Sequence, residues 1–88
     1  MLETINNKGI TTLYTHLGYN VSVTKLKNRN LINIEKSKPT LCDPTISVSG
    51  QQYFVSLPVV PGDKIPEIID DLKRLQQLMS ELKDNDIL

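Results

Sequence analysis

From Ile65 onward, Ile65, Ile68, Ile69, Leu72, Leu75, Leu78, Met79 and Leu82 recur at three- and four-residue steps with flanking extras. That spacing keeps side chains on one side of an α-helix. It predicts a single amphipathic helix over residues 64–83, about 30 Å long at 1.5 Å per residue. Asp63 stands where an N-cap carboxylate accepts from free amides of the first turn. Pro66 falls inside that turn, where its missing N–H costs little. The helix is expected to fade near Asn85.

Upstream the period changes to two. Val21 and Val23 alternate with Ser22 and Thr24, Asn28-Arg29-Asn30 interrupts, and Ile32 and Ile34 alternate with Asn33 and Glu35. This is the pattern of a hairpin with a basic tip. Residues 36–44 hold two prolines and no periodicity, which predicts a connecting loop. In a second hairpin Ile46 and Val48 lead to Gly50-Gln51, a type II′ turn, and Tyr53, Val55 and Leu57 return. A two-residue loop places Val48 opposite Tyr53 and Ile46 opposite Val55.

Near the N-terminus, Ile10, Leu13, Tyr14 and Leu17 fall at i, i+3, i+4 and i+7, with Gly18 where a helix commonly ends. A short helix over residues 10–17 is the expectation. The β-branched Thr11, Thr12 and Thr15 pull the other way, toward a strand. The chain therefore reads as one α+β domain over residues 1–88: a short N-terminal helix, a four-stranded antiparallel sheet of two hairpins, and the long C-terminal helix on one face. Four strands measure only about 14 to 15 Å between outer axes. The helix should overhang such a sheet, leaving Leu78, Met79 and Leu82 in need of a neighbour.

Composition narrows the chemistry. Eighty-eight residues with 39% hydrophobic side chains support one small core without obligatory disulfides or metals. Cys42 is the single cysteine and His16 the single histidine, so neither an internal disulfide nor a zinc cluster is available. No apolar run approaches the roughly 20 residues that span a bilayer, and no targeting pattern opens the chain. The expected setting is soluble and cytoplasmic. Lysine and asparagine greatly outnumber arginine, which points to an AT-rich coding genome.

Net charge is zero, but six Lys/Arg face three Asp/Glu before Pro61, and four face seven from Pro61 onward. Lys25, Lys27, Arg29, Lys36 and Lys38 make residues 25–38 basic, and this stretch could track phosphates. Cations on a hairpin tip also guard strand edges. Asp63, Glu67, Asp70 and Asp71 suit the dipole at the helix start.

No catalytic constellation stands out. His16 and Cys42 would have to meet across the fold with a third group orienting the imidazole. Asp70 and Asp71 point roughly 100° apart and make a poor carboxylate dyad, while Asp70 to Arg74 is an ordinary i,i+4 pair. The glycines are isolated turn or cap residues and no phosphate loop or cofactor motif is present. Phe54 falls on the opposite parity from Tyr53 and Val55, among serines, where an exposed aromatic can anchor a partner. Leu26 and Leu31 extend that patch.

These features predict a non-enzymatic protein-binding module that regulates or inhibits a partner protein, acting as a homodimer. Its size, lack of catalytic chemistry and AT-rich origin suit a phage or mobile-element inhibitor of a host enzyme. The expected partner-binding residues are Phe54, Leu26, Leu31, Leu78, Met79 and Leu82. Two alternatives stand beside it: a nucleic-acid-binding regulator using Lys25, Lys27, Arg29, Lys36 and Lys38, and a small-ligand sensor with a pocket between helix and sheet.

Overall fold

A computed structural model describes residues 2–88. Six strands follow in order: β1 (Glu3–Lys8), β2 (Thr11–His16), β3 (Tyr19–Lys25), β4 (Asn30–Lys36), β5 (Thr45–Ser49) and β6 (Gln52–Ser56). A single 3-10 turn at Gly62–Lys64 then leads into helix α1 (Ile65–Asp84). The strands form one antiparallel meander in sequence order, with β1 and β6 at its edges.

Both expected hairpins are present. Val21 lies opposite Ile34 and Val23 opposite Ile32, while Val48 lies opposite Tyr53 and Ile46 opposite Val55. The expected N-terminal helix is not formed; its place is taken by β2, paired with an unforeseen β1. The sheet thus has six strands and not four. The helical spacing of Ile10, Leu13, Tyr14 and Leu17 is coincidental. Tyr14 pairs with Val21 on the core side, Leu13 pairs with Ser22 on the opposite face, and Ile10 is an exposed turn residue. The β-branched threonines and two tight turns decide the matter. Gly9 has φ +62°, and Leu17 and Gly18 have φ +55° and +81°, the paired positive angles of a type I′ turn.

Tyr19, Val21, Val23, Ile32, Ile34, Ile46 and Val48 project from β3, β4 and β5 against Leu75, Leu78 and Leu82 of α1. Leu78 and Leu82 are fully buried, so the C-terminal end of the helix is not the end left bare. Asp71 meets Lys36 and Tyr19, which occupy the last row of the sheet. Ile87, past the other end of the helix, shares a hollow with Val23 and Asn30. Ile68 is buried as well, so the covered face of α1 runs from Ile68 to Leu82, and Ile65, Ile69 and Leu72 lie to one side of it.

The helix ends are corrected in one place. Lys64, not Asp63, is the N-cap residue, and no side chain caps it. At the other end Ile87 N donates to Leu82 O at 2.9 Å and Asp86 N to Lys83 O at 3.1 Å. This is a Schellman closure with Asp86, at φ +58°, in the left-handed position usual for glycine. It turns Ile87 and Leu88 back onto the core.

Candidate functional site

The least satisfied surface is β6. Its five residues are all exposed, and Tyr53 and Val55 face the helix side while Phe54 faces the open side, opposite Ser47. Leu57 follows, also exposed. Ile65, Ile69 and Leu72 form an exposed stripe on α1. At 100° per residue they lie roughly 120 to 180° around the helix from Glu81. Glu81 reaches His16 on β2, so the stripe faces the β5–β6 side.

The backbone of β6 is also open. Gly50 N donates to Asn30 O at 3.1 Å, which fixes the alternation along β5: Ile46 and Val48 bond toward β4, and Thr45, Ser47 and Ser49 toward β6. Their opposite numbers Ser56, Phe54 and Gln52 point inward. The N–H and C=O groups of Tyr53 and Val55 consequently point away from the sheet. No charged residue occurs from Thr45 through Gly62, so the edge carries no charged guard. The opposite edge is guarded, because β1 has Glu3, Lys8 and a register shift between Thr4 and Asn6.

The residues expected to bind a partner are dispersed. Phe54 is 56% exposed and Leu26 is exposed in the β3–β4 connection. Leu31 is half-buried on the open face, two strands from Phe54. Met79 is half-buried, and Leu78 and Leu82 belong to the core. Spacing on a helix marks the apolar stripe but not which part the sheet covers, so Ile65, Ile69 and Leu72 went unselected.

The basic residues divide as well. Lys25, Lys27 and Arg29 cluster at the β3–β4 turn, exposed and outside every ion pair among the described residues. Lys36 stands at the far end of seven-residue β4, about 20 Å away at 3.3 Å per residue, and Lys38 follows it.

Lys36 is already engaged. Its Nζ lies 2.9 Å from Asp71 Oδ2 and 3.4 Å from Asp43 Oδ1. Arg74 Nη2 donates to Asp71 Oδ1 at 2.5 Å, and the Tyr19 hydroxyl donates to the Asp71 carbonyl at 3.3 Å. Arg74 thus pairs with Asp71, not Asp70. Burial and the nearby Asp71 charge push the Tyr19 phenol above its ordinary pKa. Asp71 is 1% exposed, compensated by two cations. Its position was legible: it falls three residues after Ile68 and four before Leu75, in the buried stripe.

His16 Nε2 meets Glu81 Oε2, and Cys42 is a free, half-buried thiol in the loop after β4. No group of three metal-binding side chains occurs among the described residues. A hollow of about 330 Å³ lies between the tail of α1 and the sheet, lined by Leu2, Thr12, Tyr14, Val23 and Ile87 among others. No helix among the described residues is long and apolar enough to cross a membrane. Comparison with protein-family models, curated proteins and solved structures finds no match.

Proposed function

We propose that this chain is a non-catalytic binding protein that regulates or blocks a protein partner, docking through the β6 edge and the adjoining stripe of α1. One observation carries the reading: β6 exposes apolar side chains on both faces, on a strand whose outward amides and carbonyls are unpaired. Tyr53, Phe54, Val55, Leu57, Ile65, Ile69 and Leu72 are 37 to 59% exposed. Together they offer on the order of 600 to 700 Å² of surface, worth roughly 15 kcal/mol gross at 25 cal/mol per Å². Much of that is offset by the cost of association. Added-strand recognition uses this combination, main-chain bonds for affinity and alternate side chains for specificity.

The remaining polar groups support a binding role over a catalytic one. His16 is held by Glu81, and Lys36 and Arg74 are held by Asp71. A cytoplasmic setting suits the free thiol of Cys42. An inhibitor directed at a host enzyme by a phage or mobile element fits the small size and the lysine- and asparagine-rich composition.

The test is affinity capture from nuclease-treated and untreated host lysates with the tagged chain and with Val55→Lys. A stoichiometric protein retained by the parent chain after nuclease and lost with Val55→Lys is the expected result. Retention by both would remove β6 from the docking surface. A second reading, nucleic-acid binding, draws on the unpaired Lys25, Lys27 and Arg29; recovery of nucleic acid that disappears with nuclease would put it first.

A further inference from the structure

We infer that the occupant of the β6 edge is a second copy of this chain, joined by antiparallel β6–β6 pairing about a twofold axis through Phe54. The inference rests on β6 being the docking edge and adds the occupant of that edge in the free chain and the register; a protein target would bind there by displacing the second copy.

Hydrogen-bond direction restricts the pairing. Only Tyr53 and Val55 within β6 present outward N–H and C=O groups, so these must face one another across the seam. With the axis at Phe54, the midpoint of Gln52–Ser56, Tyr53 of each copy exchanges bonds with Val55 of the other. All five residues are then paired. Shifting the axis to Tyr53 would set Val55 against the turn residue Gln51, and shifting it to Val55 would leave Gln52 unpaired within the strand. The Phe54 register makes an aromatic–β-branched pair twice on the helix side. It also sets the two Phe54 rings together at a closely spaced non-hydrogen-bonded pair on the open side. Both helices lie on the same face, and their Ile65, Ile69 and Leu72 stripes turn toward the seam.

Three further observations favour a second copy as the occupant of this edge in the free chain. An edge without charge from Thr45 to Gly62 places no like charges opposite each other under twofold symmetry. The exposed apolar area, on the order of 600 to 700 Å² per copy, is close to the roughly 800 Å² per partner of a standard interface. The guarded β1 edge blocks further addition, so the pairing closes at two copies with a twelve-stranded sheet and does not propagate into a fibre.

The test combines mass measurement with a register-specific cross-link in the full chain. Light scattering at 50 to about 500 μM, a range that spans moderate affinity, should give twice the 9.9 kDa chain mass. Val55→Lys should run as a monomer with an unchanged circular dichroism spectrum. In a Cys42→Ser background, Phe54→Cys should oxidise to a covalent dimer, because the two sulfurs meet on the axis. Tyr53→Cys should not, since its copies lie about 8 Å apart between Cα atoms, outside disulfide reach. A monomeric parent chain overturns the inference; if Val55→Lys still loses a captured partner, the docking-edge reading stands without it. A dimer that resists Val55→Lys and lacks the Phe54→Cys link also overturns it, by moving the seam away from β6.

Discussion

Lys36 on β4 and Asp71 on α1 lock the sheet to the helix through a contact of 2.9 Å between Nζ and Oδ2. Asp71 is 1% exposed, and a carboxylate so placed is costly unless its cations stay in position. Lys36→Met should therefore destabilise the fold by about 2 to 3 kcal/mol, somewhat less than the loss of a sole buried partner because Arg74 remains. Arg74, whose side chain is 49% exposed, should matter less, with Arg74→Met costing about 1 kcal/mol. Urea denaturation of the two variants would check the order; an equal or reversed ranking would make Arg74 the principal counter-ion.

The same cluster sets the response to pH. Burial acts to lower the Lys36 pKa, but its contacts with Asp71 and Asp43 prevail and hold it above the ordinary lysine value. Its contribution to stability is complete below about 10.4 and is lost as pH rises through the higher folded value. Burial acts to raise the Asp43 pKa, but the Thr40 N–H bond and Lys36 hold it below the ordinary value. That contribution is present above about 3.9 and is lost as pH falls through the depressed folded value. The contributions of these two groups should be flat between these limits. In thermal melts across pH, Lys36→Met should show a smaller alkaline decline, with Tyr19 supplying what remains, and Asp43→Asn a smaller acid one.

Which face of α1 belongs to the core is open to direct measurement. Leu78 is fully buried and Ile69 is 47% exposed. Leu78→Ala should cost about 3 to 4 kcal/mol, and Ile69→Ala less than about 1 kcal/mol in monomeric protein. Equal losses would mean that the N-terminal stripe is covered within the chain.

Asp86 completes the Schellman closure with φ +58°. Glycine adopts that conformation without a Cβ penalty, so Asp86→Gly should stabilise by about 0.5 to 1 kcal/mol. That corresponds to roughly 2 to 8 °C in the melting temperature of a domain this size. A lower melting temperature would show that the Asp86 side chain contributes more than its backbone angle costs.

Only Lys25, Lys27 and Arg29 are grouped and unpaired, so any duplex DNA binding should have a log-log salt slope no steeper than about −2.7 per bound copy, three phosphates at −0.9 each. Fluorescence anisotropy over a salt series gives the slope. A value near about −4.5 would require all five of the basic residues, including Lys36, to reach phosphates.

Amino-acid pattern alone determined the C-terminal helix, the β3–β4 and β5–β6 pairings and the type of the Gly50-Gln51 turn, because each depends on spacing within a short stretch. It mistook residues 10–17, where four apolar positions match a helix by accident and the threonines and the Leu17-Gly18 turn make a strand. Phe54 was legible as exposed through its parity. The fate of the helix stripe was not: at 100° per residue Leu78 and Ile69 lie about 180° apart, at opposite edges of a wide apolar arc, and only the way α1 seats on β3, β4 and β5 decides that Leu78 is buried and Ile69 bare. The ion cluster of Lys36, Asp43, Asp71 and Arg74 likewise belongs to tertiary structure, since its members come from three separate segments. Short-range periodicity selects elements and faces; the sheet's width and the helix's position along it determine which of those faces stays in water.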